Sequence, residues 1–142
     1  MSSVLIEIAD AVTAALNGAS LSQPFTAERV YVTPIDLVEL AALTVTVAPS
    51  LLAVRASDLG PRHAREPEIA VMVMERTSGV VAREDALMTL TEEIVDLFAT
   101  RPLAGTQARN IGVELRPAFD QVACDTEGLF ASLILLTFRL TR

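Results

Sequence analysis

His63 is the only imidazole in this chain and Cys124 its only thiol. A Cys–His or Ser–His nucleophile pair would have to use His63, because activating a nucleophile needs a base within hydrogen-bond reach. His63 and Cys124 stand in different polar stretches, and no third group at a telling spacing orients either one. His63 with Asp58, Glu66 or Glu68 offers metal-ligand types, but only one nitrogen donor is present and the spacing matches no known ligand pattern. Glu92, Glu93 and Asp96 form a carboxylate cluster, and paired carboxylates can do acid–base work. Here they fall on the polar side of an amphipathic run, where carboxylates keep a helix soluble. Gly60 and Gly105 are isolated, so there is no glycine-rich phosphate loop. Met72 and Met74 recur at strand spacing and read as core filling. The residues therefore point to no catalytic group, no metal and no cofactor.

The elements that would position any of these groups are clearer. From Ala82 to Ala99, Leu87, Leu90, Ile94, Leu97 and Phe98 form one apolar stripe at helical spacing. Glu84 and Asp85 sit in its first turn, where the helix dipole favours acids, and Pro102 lies just past its end. A first helix is expected after a Ser2 or Ser3 cap, with Leu5, Ile8, Ala9, Val12, Ala15 and Leu16 inward and Asn17-Gly18 as the stop. Strands are expected at Phe25–Val32, at Leu43–Ala48 and Leu51–Arg55 (one long strand bent at Pro49, or two short ones), and at Glu68–Arg76, Ile111–Arg116 and Leu129–Leu140. Ile35–Leu40 fits a short helical turn. Glu68–Arg76 is apolar on both faces, as a central strand is, and Ile134-Leu135-Leu136 also belongs inside a sheet. Strands grouped between helices, not alternating with them, argue for an α+β fold. We expect a single, mostly antiparallel mixed sheet with two helices packed on it, in the order α-β-β-β-α-β-β. Residues 1–142 read as a single domain.

Composition narrows the function classes. The chain is 51% apolar but only 4% aromatic, so its core is aliphatic. A net charge of −7 excludes a broad basic face for nucleic acid. No apolar run reaches the length of a membrane span, and the N-terminal pattern is helical and not that of a signal peptide. All eleven basic residues are arginine. The guanidinium fork is pre-organised for interface contacts in a way lysine is not. Three polar connections are long for a domain of this size: Ser57–Pro67, Thr100–Asn110 and Ala118–Gly128. Two of them carry paired arginines. Loops of this kind on an apolar sheet fit a chain that orders its connections against neighbouring subunits. Candidate interface residues are Arg29, Tyr31, Arg62, Arg65, Arg101 and Arg109.

An ordered set of segments carries a family resemblance. It runs from the helix Ile6–Leu16, through Leu21-Ser22-Gln23-Pro24-Phe25-Thr26-Ala27-Glu28-Arg29 and Tyr31-Val32, to the Asp36-Leu37…Leu40 turn before Leu43–Pro49. The helix Ala86–Phe98 with its Glu-Glu-Ile follows, and Leu135-Leu136-Thr137-Phe138-Arg139-Leu140 closes the chain. On these residues the chain resembles the tail-terminator (tail-completion, minor tail protein) family of tailed bacteriophages and prophages, which includes the tail terminator of phage lambda. The run Leu21–Arg29 is its most specific piece. The resemblance implies a non-enzymatic α+β protomer that forms a hexameric ring at the head-proximal end of the tail. Such a ring stops tail polymerisation and provides the head–tail joining surface. Its implied partners are further copies of itself, the tail-tube protein and head–tail connector proteins. Its implied location is the virion, after assembly in the host cytoplasm. DNA would pass through the lumen without specific binding, and no membrane is involved. With six copies each at −7, an acidic lumen would repel DNA and let it slide; Asp120, Asp125 and Glu127 are the candidate lining residues. A neck or head-completion protein is the alternative within this class. A small-molecule-binding or enzymatic α+β domain is the alternative outside it, and would need a pocket with converging polar groups.

Overall fold

A computed structural model describes residues 3–31, 42–56, 63–100, 103, 106, 108–115 and 128–141. The elements run α1 (Val4–Gly18), β1 (Ala27–Arg29), β2 (Thr44–Ala56), β3 (His63–Arg76), α2 (Val81–Thr100), β4 (Arg109–Leu115) and β5 (Leu129–Thr141). This is the expected α-β-β-β-α-β-β order. The five strands form one mixed sheet, β1-β2-β3-β5-β4. β1 pairs parallel to β2, and every other pairing is antiparallel.

Each helix forms for reasons visible in its ends. Ser3 caps α1, its hydroxyl accepting from the Ile6 N–H at 3.4 Å; the helix stops where Ala19 turns to extended backbone. Ile8, Ala9, Val12 and Leu16 are buried on one side of it. On α2 the buried side is Leu87, Leu90, Thr91, Ile94 and Phe98. Thr91 meets the polar requirement of burial by donating to the Leu87 carbonyl at 2.8 Å.

Both helices lie on the same face of the sheet. α1 packs over β1, β2 and β3, and α2 over β4 and β5. The shared core combines the two stripes with Val45, Val47, Ile69, Val71, Val73, Phe130, Ile134, Leu136 and Phe138. Strand alternation sends Met72, Met74, Leu129 and Ala131 to the other face, where they form a smaller cluster. β3 and β5 are flanked on both sides, as their two-faced apolar patterns require.

Several boundaries differ from expectation. Of the strand expected over Phe25–Val32, the described part is Ala27–Arg29: Phe25 packs against the core from the approach to the sheet, Ala27, Glu28 and Arg29 pair in register with β2, and Val30 adds a last bond, its N–H donating to the Val47 carbonyl at 2.8 Å; Val32 lies outside the described residues. The expected break at Pro49 is a β-bulge within one strand: Pro49 pairs with Ile69 and Leu51 with Glu68, leaving Ser50 extra. β3 starts at His63, inside the stretch expected to be loop, and β4 starts at Arg109. The turn at Ile35–Leu40 lies outside the described residues, as do residues 116–127.

Candidate functional site

The residues that carry the most specific sequence signal lie where the two helices meet the sheet. Ser22 reaches α2: its backbone N–H donates to Glu93 at 3.1 Å and its hydroxyl donates to the same carboxylate. Gln23 donates to the Ala86 carbonyl on α2 at 3.1 Å. Ala27 turns to α1, its N–H donating to Asn17 Oδ1 at 2.7 Å and its carbonyl accepting from Asn17 Nδ2 at 3.1 Å. Arg29 reaches back to Asp10 on α1 at 2.5 Å. One short run thus ties both helices and the first strand together. Glu93, a member of the carboxylate cluster, serves in this clasp; Glu92 and Asp96 are exposed.

The clasp also blunts the sheet. Ala27 belongs to an edge strand, and the Asn17 amide occupies the N–H and C=O that would otherwise recruit another strand. At the other edge, a bulge between Asn110 and Gly112 interrupts β4. There Asn110 Oδ1 accepts from the Gly112 N–H at 2.9 Å, and Asn110 Nδ2 donates to the Phe98 carbonyl in the last turn of α2 at 3.1 Å.

The candidate interface residues fall into two groups. Arg29 and Tyr31 sit beside β1, with the Arg29 guanidinium 5.5 Å from the centre of the Tyr31 ring, a cation–π distance. The hydrogen bond to Tyr31, and after it the one to Asp10, raises the Arg29 pKa above its ordinary value. Arg65 and Arg109 stand at the far end of the sheet. Arg65 pairs in register with Leu140, and Arg109 with the neighbouring Arg139. Arg139 in turn donates to Glu66 at 2.8 Å. Arg62 and Arg101 lie outside the described residues, as do Asp120, Asp125 and Glu127. The sequence did not single out Arg139 as an interface candidate, although it alternates with the apolar residues of the last strand.

The groups considered for chemistry are dispersed or engaged. His63 opens β3 with its backbone opposite Ala56, and Cys124 and Asp58 lie outside the described residues. Glu66 accepts from Arg139 and Glu68 from the Ser50 hydroxyl at 3.1 Å. Among the described residues, no group of three or more His, Cys, Asp or Glu is placed to hold a metal ion. None of the described helices is long and apolar enough to cross a membrane.

No family model matches this chain, and no curated protein sequence matches it. Among solved structures, the chain is similar to one from the virion of a native gene transfer agent particle. The overlay has a TM-score of 0.46 at 15% identity, and covers 96% of this chain and 90% of that one.

Proposed function

We propose that this chain is a structural protein of a tailed-phage or prophage particle, acting as a tail terminator. In this reading copies close into a ring, most simply a hexamer, at the head-proximal end of the tail tube. The ring stops tube polymerisation and offers the surface to which head–tail connector proteins dock. The observation that carries the reading is the clasp. The run Leu21–Arg29, on which the family resemblance is most specific, is the piece that fastens α1, α2 and β1 into one unit. The same residues that suggest the family therefore hold together an α+β protomer of the kind that it implies. A blunted β1 and a bulged β4 favour contacts made through side-chain surfaces, as a ring of repeated head-to-tail interfaces needs.

Deleting the gene from a genome that encodes the particle tests this. The expected result is unjoined heads together with tails of uncontrolled length in electron micrographs, reversed by supplying the protein in trans. Particles with joined tails of normal length would overturn the reading.

A further inference from the structure

Where strand backbone has no partner strand among the described residues, the fold mostly closes it in another way. At β1 the Asn17 amide holds both the N–H and the carbonyl of Ala27. At β4 the bulge breaks the ladder, and Asn110 accepts from the Gly112 N–H. β5 runs on beyond β4, whose Leu115 pairs with Ile134, but there Leu129, Phe130, Ala131 and Ser132 are all buried.

Residues 51–56 differ. They pair with β3 on one side, from Leu51↔Glu68 to Ala56↔His63. β1 stops pairing at Arg29↔Val47, so no described strand lies on the other side. No proline or bulge interrupts them, since the bulge falls before them at Ser50. Five of the six are apolar, Arg55 being the exception. Leu51 shares a face with Glu68, away from the helices, and Val54 shares one with Arg65, on the helix side. Leu51 is 57% exposed and Val54 53%, so the strand is open on both faces. Only a second extended chain can meet the outward N–H and C=O groups of such a strand in register. Natural sheets rarely leave an apolar stretch of this kind unguarded.

We infer that this half of β2 pairs with the same half of β2 in a second copy, antiparallel and about a two-fold axis. The symmetry follows by elimination. β1 and β4 are closed to strand addition, and the buried run of β5 is out of reach. The strand that a second copy can offer is therefore its own residues 51–56. Pairing joins two five-stranded sheets into one and shields Leu51 and Val54 from water on both faces. The contact is isologous, so it joins two copies and closes no ring of six. It is additional to the head-to-tail contacts of the ring reading and does not depend on them. Six residues a side make a small interface, so the pairing depends on concentration.

Sedimentation of the full chain over a concentration series tests the pairing, and a monomer–dimer equilibrium is expected. Leu51→Lys places a charge on the strand opposite Glu68 of its own chain, which keeps the fold. It should raise the dimer dissociation constant by about tenfold or more. Val54→Cys in a Cys124→Ser background reads the geometry. In antiparallel strands about 4.8 Å apart, the two introduced thiols lie within reach of a short bismaleimide. Covalent dimers are expected, in a yield that falls when Leu51→Lys is added. A monomer at every concentration, association that Leu51→Lys leaves unchanged, or dimers that do not crosslink at position 54 would each overturn the pairing and leave the ring reading standing. Joined tails of normal length after gene deletion would overturn the ring reading and leave the pairing in place.

Discussion

Ser78 and Gly128 make the turn that joins β3 to α2 a two-sided structure. The Gly128 carbonyl accepts from the Thr77 and Ser78 N–H groups, both at 2.9 Å. Gly128 has a φ of +63°, and a Cβ on it would come within 3.1 Å of the Ser78 Cα. Ser78 itself has a φ of +51°, a left-handed conformation that is unfavourable with a side chain. The two positions should therefore respond in opposite ways. Gly128→Ala should lower unfolding free energy by about 1–3 kcal/mol, whereas Ser78→Gly should leave it unchanged or raise it by up to about 1 kcal/mol. Urea denaturation of the two variants measures both, and a harmless Gly128→Ala would show that the close approach relaxes freely. Nearby, Arg83 grips the buried Glu75 carboxylate with two parallel bonds at 2.5 Å. That pairing raises the Arg83 pKa above its ordinary value. A group whose folded pKa is raised keeps its stabilising effect below the unfolded value and loses it only as pH climbs through the folded one. Arg83 therefore stays charged at every ordinary working pH.

Among the elements, the strands show how a sheet accommodates residues that do not suit it. Pro49 has no N–H to give a ladder, and it stands just past the point where β1 stops and β2 has no described strand on its outer side. Pro67 is harder to place, since β3 has a neighbour on each side. The β3–β5 pairing runs from Arg65↔Leu140 directly to Glu68↔Thr137, so the ladder is interrupted around the proline. The bulge at Ser50 yields a sharp test. Removing Ser50 leaves every neighbouring pair in register and forfeits chiefly its bond to Glu68, a loss of about 1 kcal/mol. Removing Thr46 instead shifts Val47 onto the helix-free face and should abolish cooperative thermal unfolding. Equal stability of the two deletions would mean that the bulge does not set the register. These strands also explain what the sequence conveyed. α2 was legible because five apolar residues recur on one side with no breaker between them. β3 and β5 were legible because a strand with neighbours on both sides is apolar on both faces. The start of β3 was not, because Arg65, Glu66 and Pro67 have the composition of a loop; they are held in a strand by pairing with β2, and Glu66 by Arg139 as well. Such a cause is nonlocal and leaves no periodicity. Of the candidate interface, the residue types were legible but not their placement, since only the β3-β5-β4 order and its register bring Arg65 and Arg109 to one end of the sheet, on opposite faces of it.

For the molecule as a whole, the two ends of the sheet differ among the described residues in how many neighbours each strand has. Near the helices, β3 and β5 are paired on both sides and bury Ile69, Val71, Val73, Ile134 and Leu136 completely. Past the Ser50 bulge, β2 has a single described neighbour, and Leu51 and Val54 face water. Local opening follows such differences, because a strand held on one side and outside the core opens without unfolding the rest. In dilute solution, amides of residues 51–56 should exchange with solvent at least about tenfold faster than those of residues 69–74 and 131–136. Hydrogen-exchange mass spectrometry resolves the pattern. Equal rates in the two sets would show that the outer half of β2 is held as firmly as the middle of the sheet, so that one ladder with β3 is enough to close it.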